Sequence, residues 1–178
     1  PEFMRAFLFY LSLYREGLAP VYGNTDVANV FQEFERGRFV FYITGPWNIG
    51  EFGRRLPPDM QDDWATAPLP GPGGPESGIS TAGGASLVLF RESDHPTESW
   101  KLIEYLSRPE IQVQFYQLTG DLPPRLEAWQ DTILSRNDKA LAFRQQLDRV
   151  RPVPLVPEIE SIMFKLIDYA EQSIRGGV

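Results

Sequence analysis

The run Phe41-Tyr-Ile-Thr-Gly-Pro-Trp47 constrains the fold more tightly than any other stretch of the chain. Arg38 to Ile43 is rich in β-branched and aromatic residues, which suit a pleated and packed surface, and it reads as a buried strand. Gly45-Pro46 must end that strand, because proline lacks an N–H and restricts the residue before it. Trp47 then stands just past a strand end, which is where ligands bind in open α/β folds. Asn48 to Arg54 has room for a short helix whose free N–H groups would face a ligand near Trp47. From these residues alone Trp47 is either a ligand platform or a filler of the core.

The rest of the 178 residues alternates helical and extended signals. Phe3, Phe7, Tyr10, Leu11 and Tyr14 recur at helical spacing, with Gly17 as a stop. The aromatic stripe reads as the packing face of an amphipathic helix rather than a ligand wall. Asp26 is placed to cap a second helix carrying Val27, Val30, Phe31 and Phe34, ended by Gly37. Thr66 to Leu69 and Leu87 to Phe90 read as strands. Ser93 or Asp94 can cap a helix opened by Pro96, with Trp100, Ile103, Leu106 and Leu102 on its packed face, and Pro109 opens another that stops at Gly120. Asn137 or Asp138 caps a helix through Leu141 and Leu147. The prolines of Pro152 to Pro157 impose an extended connector, and Ile159, Ile162, Met163, Leu166, Ile167 and Ala170 form one face of a last helix.

Composition removes several functional classes. The net charge is −7, and the 17 Lys and Arg residues form no dense run, so neither a nucleic-acid footprint nor a polybasic membrane patch is expected. With no cysteine there is no disulfide scaffold, thiol nucleophile or Cys-based zinc site. No stretch approaches the roughly 18 apolar residues of a membrane span. No signal segment is visible, and Pro1-Glu2-Phe3 already reads as the opening of a helix.

Catalytic signals are equally sparse. His95 is the lone histidine and lies in Asp94-His-Pro, a turn or capping sequence, so no catalytic triad or histidine metal site is expected. Pro70-Gly-Pro-Gly-Gly-Pro75 is no phosphate loop, since its prolines forbid a glycine turn that opens a helix. The carboxylate pairs Glu33/Glu35 and Asp62/Asp63 read as solvated faces, whereas glycosidases set two carboxylates on opposite sides of a bond. Glu158 and Glu160 sit at the mouth of the last helix, where they favour its N-terminus or bond a ligand. No catalytic residue, metal or cofactor is called.

What remains suits a sugar. Sugar rings present apolar C–H faces that stack on an aromatic plane, and hydroxyl rims that want fixed donors and acceptors. Trp47, Gly83, Gly84, Asp121 and Glu158 are the candidates. Gly83-Gly84 reads either as a bulge at a chain crossover or as bare main chain that a ligand can approach.

Several words then occur in order: Phe31-x-x-Phe34-x-x-Gly37 with Gly45-Pro-Trp47, Ala67-Pro-Leu-Pro70, Gly83-Gly-Ala-Ser-Leu87, Trp100-Lys-Leu-Ile-Glu-Tyr-Leu106, Pro109-Glu-x-Gln112 and Thr119-Gly-Asp-Leu-Pro-Pro124. In this order they resemble the extracellular solute-binding proteins of sugar ABC importers, the maltose-binding-protein-like group, over its C-terminal half. The resemblance implies an α/β fold of the type II periplasmic-binding-protein kind, with two lobes, a hinge and a sugar cleft between them. It implies a non-catalytic protein that hands a di- or oligosaccharide or glycoside to an ABC permease, periplasmic or extracellular and in some members lipid-tethered. Trp47 matches a sugar-stacking Trp, Gly83-Gly84 lies where relatives place the cleft, and Asp121 falls in a loop approaching it. Some relatives have an aromatic platform around the position of Met163, where this chain is expected to have none.

By that topology residues 1–78 belong to the C-terminal lobe, 79–84 form the hinge crossover, 85–130 belong to the N-terminal lobe and 131–178 return. The chain then resembles an incomplete portion of the family fold, and two alternatives accompany the transport reading: a self-associating or domain-swapped structural module that binds nothing alone, and a glycosidase-like enzyme.

Overall fold

The computed structural model describes residues 2–22, 29–81 and 83–176. It divides into two compact units, one made of Pro1–Tyr42 and Val153–Val178, the other of Ile43–Pro152.

The first unit is helical. Helix α1 (Glu2–Arg15) ends as its aromatic spacing predicts: Gly17 takes a left-handed φ of +72°, and the Leu18 N–H donates back to the Leu13 carbonyl at 2.8 Å. Helix α2 (Val30–Glu35) is capped by Asn29, whose Oδ1 accepts from the N–H groups of Phe31 (3.1 Å) and Gln32 (3.3 Å). The expected cap Asp26 and the neighbouring Val27 lie outside the described residues. Gly37 closes α2 at φ +67°, with the Arg38 N–H donating to the Glu33 carbonyl. The Glu33 carboxylate in turn pairs with Arg36 (2.9 Å) and Arg38 (2.8 Å), and its side chain is largely shielded rather than on the solvated face expected of it. Helix α8 (Ile159–Arg175) packs against α1, and Leu11 and Ala170 are buried.

The second unit holds helices α3 (Asn48–Arg55), α4 (Pro96–Leu106), α5 (Pro109–Thr119), α6 (Thr132–Ser135) and α7 (Asp138–Gln146). Its core gathers Val113 and Tyr116 from α5, Ala128 and Trp129 from the tight turn Leu126–Gln130, Leu134 from α6 and Ala140 from α7. Leu134 and Ala140 are wholly enclosed. Two polar groups carried into this core are partnered: the Trp129 indole donates to the Pro123 carbonyl at 3.0 Å, and Asn137 donates to the Tyr116 hydroxyl at 2.8 Å. Asn137 also caps α7 by accepting from the Ala140 N–H, so one amide serves a helix end and the core together. Gly120 ends α5 in the left-handed region at φ +80°.

The sheet among the described residues is a two-residue parallel ladder. Strand β1 (Ser80–Thr81) pairs with β2 (Val150–Arg151), Ser80 opposite Val150 and Thr81 opposite Arg151. The strands expected at Arg38–Ile43, Thr66–Leu69 and Leu87–Phe90 are therefore corrected: none of these segments joins a ladder, and the first bends at Arg38 and Val40. The first and third lie open to solvent, with Phe41 89% and Phe90 74% exposed, because the described residues offer them no neighbouring strand. The second is held by side chains instead, with Thr66 Oγ1 donating to the Lys139 carbonyl (2.7 Å) and the Leu69 N–H donating to Gln146 (2.8 Å). Two further corrections concern α4. Neither Ser93 nor Asp94 caps it, since His95 occupies the N-cap position without a side-chain bond to the helix, and Trp100 and Leu102 are exposed rather than packed.

Candidate functional site

Gly45-Pro46-Trp47-Asn48 forms a turn that flows into α3. The Asn48 N–H donates to the Gly45 carbonyl at 3.2 Å and the Ile49 N–H to the Pro46 carbonyl at 3.0 Å. Pro46 supplies the fixed φ such a turn needs at its second position, and Trp47 follows at φ −55°, ψ −23° as the N-cap residue of α3. The indole folds back over Gly45, where a Cβ would collide with its six-membered ring. Trp47 is 59% exposed, so it stays largely open to solvent while part of its ring rests against the Gly45 main chain. Asn48 donates its side-chain amide to Thr44 Oγ1 across the turn. Glu51 pairs with Arg55 at 2.6 Å and with Arg54, and these two guanidinium bonds hold its carboxyl below the usual range. The local pattern thus presents an aromatic plane on a stiff mount.

The other candidates of this unit are also solvent-facing. Gly83 and Gly84 are exposed, no described side chain stands within 4 Å of where a Cβ would sit on either, and Gly84 adopts φ +143°. That conformation is strained for any residue with a side chain, which explains glycine at position 84. Asp121 follows the left-handed Gly120, with its N–H donating to Thr119 Oγ1 at 3.1 Å and its carboxylate turned to solvent. Asp121 is held by a bond within its own segment, and no hydrogen bond joins it to Trp47 among the described residues.

Glu158 belongs to the other unit. It is exposed at the N-cap of α8 and makes no side-chain cap bond, while its carbonyl accepts from the Ile162 N–H at 2.9 Å. Five residues beyond it, Met163 is half exposed, and the adjacent Phe164 is 68% exposed. The expectation of no aromatic around Met163 is therefore corrected: Phe164 presents an exposed aromatic ring beside it.

An apolar space of that unit lies elsewhere, between α1 and α8. A groove of about 470 Å³ is lined by Phe3, Phe7, Tyr10 and Tyr14 on one side and by Leu166 and Ile174 among others on the opposite side. Phe3 stacks on Phe7, and the Tyr10 and Tyr14 hydroxyls share a hydrogen bond of 3.1 Å. Burial, then that bond, push the Tyr10 phenol up to about 12. None of the five candidate residues lines it. No group of acidic or histidine side chains able to hold a metal occurs among the described residues, and no described helix is long and apolar enough to cross a membrane.

Comparison with known proteins gives this surface a context. The model of the bacterial extracellular solute-binding protein family matches residues 2–142. The sugar-binding protein MalE from the phytopathogen Xanthomonas citri is 46% identical and superposes with a TM-score of 0.91 over 98% of this chain and 44% of its own. A maltose-maltodextrin binding protein of Alicyclobacillus acidocaldarius, 18% identical, shares the fold with a TM-score of 0.65 over 98% of this chain and 46% of its own. A binding protein of Brucella abortus is 26% identical over 167 residues, which are 91% of this chain and 39% of that protein. The chain spans less than half the length of each of these relatives. Its fold corresponds to part of a type II periplasmic binding protein. The chain belongs to the bacterial extracellular solute-binding proteins, a family of non-enzymatic binding proteins.

Proposed function

We propose that this polypeptide contributes to a sugar site from which a di- or oligosaccharide or glycoside is delivered to the permease of an ABC importer. The observation that carries the reading is the 46% identity to a sugar-binding MalE across 98% of the chain. Trp47 is the stacking platform, because its indole has a face free for the C–H side of a pyranose. Gly83 and Gly84 let a ligand approach main chain, while Asp121 and Glu158 accept from sugar hydroxyls.

In this reading residues 1–78 and 131–178 serve one lobe, 85–130 serve the other, and the chain crosses at 79–84, with closure of the lobes trapping the sugar. The protein works outside the cytoplasm, in the periplasm or tethered to a membrane by lipid. Calorimetry with maltose, maltotriose and non-glucose disaccharides tests it. Saturable heat with one of these sugars, weakened by Trp47→Ala, is the expected result, and no heat with any of them would remove the assignment.

A second reading has its own observation. Val40, Phe41 and Ile43 are 77%, 89% and 79% exposed, and Leu87, Val88 and Phe90 are 60%, 68% and 74% exposed. Such open, strand-prone segments template pairing with another chain, so self-association through these edges is the behaviour expected of the polypeptide by itself. Light scattering decides it: a monomer at every concentration would rule it out.

A further inference from the structure

Gln146, in the last turn of α7, is the one polar side chain buried among the described residues. Its amide is used three times. Oε1 accepts from the Leu69 N–H at 2.8 Å, and Nε2 donates to the Gly78 carbonyl at 3.1 Å and to the Arg149 carbonyl at 2.9 Å. The circuit closes through main chain, because the Gly78 N–H donates to the Leu69 carbonyl at 3.1 Å. Gly78 has no freedom to be another residue here, since a Cβ would collide with the Leu69 and Pro70 carbonyls.

The two carbonyls held by Nε2 have a common property. Gly78 lies two residues before β1, and Arg149 immediately precedes β2. One planar amide therefore grips the chain at the foot of both paired strands. A parallel ladder two residues long has too few backbone bonds to set its own register. A satisfied buried amide suits the task, because any slip of either strand would leave its donors unpaired in a buried site.

We propose that Gln146 is the positioning residue of the chain crossover: its amide fixes the register of β1 against β2 and so transmits the state of the crossover to ligand affinity. The register claim stands on the geometry, whereas the link to affinity rests on the sugar-binding reading above. Thr66 provides the internal control, since its hydroxyl makes a comparable long-range bond to the Lys139 carbonyl without touching either strand.

The test compares amide hydrogen exchange and maltose titration in the unmodified chain, Gln146→Glu, Gln146→Leu and Thr66→Val. Glu keeps the acceptor for Leu69 and loses both donors. Leu loses all three bonds. In both Gln146 variants the slowest-exchanging amide among Ser80, Thr81, Val150 and Arg151 is expected to exchange at least about tenfold faster, with the α5 amides changed less than about twofold. Thr66→Val should leave those strand amides unchanged. Where the unmodified chain binds maltose, Gln146→Glu should weaken binding by about threefold or more. Unchanged strand exchange in a folded variant overturns the proposal, and so does equal acceleration throughout Ile43–Pro152 or global unfolding of both variants, which would make Gln146 an ordinary core residue. Faster strand exchange with unaltered maltose affinity overturns the coupling. No maltose binding by the unmodified chain overturns the sugar reading instead, and the exchange data then decide the register claim alone.

Discussion

The indole of Trp47 lies over Gly45, in the space that a side chain at position 45 would fill. The aromatic plane and the glycine two residues earlier are therefore one structural unit. Gly45→Ala must push the ring off its mount. If the ring is a sugar platform, Gly45→Ala should lower sugar affinity by about tenfold, a change of about 1.4 kcal/mol and similar to that of Trp47→Ala. Added to Trp47→Ala, it should cost almost nothing more, because the collision partner is gone. A double-mutant cycle by calorimetry checks this.

The core of Ile43–Pro152 sets a stability expectation. Leu134 is fully enclosed between α5, the Leu126–Gln130 turn and α7. Leu134→Ala should destabilise this unit by about 2–5 kcal/mol, read from urea unfolding followed by Trp129 fluorescence.

Asn137 has two duties and should show two losses. Asn137→Ala removes the α7 cap and the bond to Tyr116, with an expected cost of about 2 kcal/mol. Asn137→Asp retains the cap acceptor and should cost less. Burial raises the Tyr116 phenol and the Asn137 bond opposes that rise, so removing Asn137 should shift Tyr116 titration upward, as seen by its ring resonances in NMR.

Tyr10 gives a pH expectation with a defined sign. Its phenol is raised from 10.0 to about 12, so the folded state holds this proton where the unfolded chain releases it. The resulting stabilisation is complete below pH 10 and is lost as pH rises through about 12. Tyrosinate absorbance should therefore show a late-titrating phenol that disappears in Tyr10→Phe. Tyr14→Phe should lower the Tyr10 value by removing the shared hydrogen bond.

These expectations show where the sequence was legible. Several helix ends were, because a cap or a stop acts within one turn: Gly17, Gly37, Gly120 and Asn137 sit where their chemistry predicts, whereas the start of α4 at His95 does not use the expected Ser93 or Asp94. Strands were not. Arg38–Ile43 and Leu87–Phe90 carry the right residues, but a strand exists only with a neighbour, and local composition says nothing of whether one is present. The pairing of Ser80 with Val150 left no local trace either, since it joins residues 70 positions apart through a two-residue ladder. Gln146 was invisible for the same reason: two of its three partners lie more than 60 residues away. The Gly-Pro-Trp turn was legible as a break, whereas the dependence of Trp47 on Gly45 needed coordinates.

The central claim is that Trp47 stacks on a sugar, and its own fluorescence tests this most directly. With Trp64, Trp100 and Trp129 replaced by phenylalanine, position 47 becomes the sole indole of the chain. Titration with maltose and longer maltodextrins should then produce a saturable change in Trp47 emission, with a midpoint matching calorimetry. Sugar binding that leaves Trp47 emission unchanged, or no binding at all, would contradict the account.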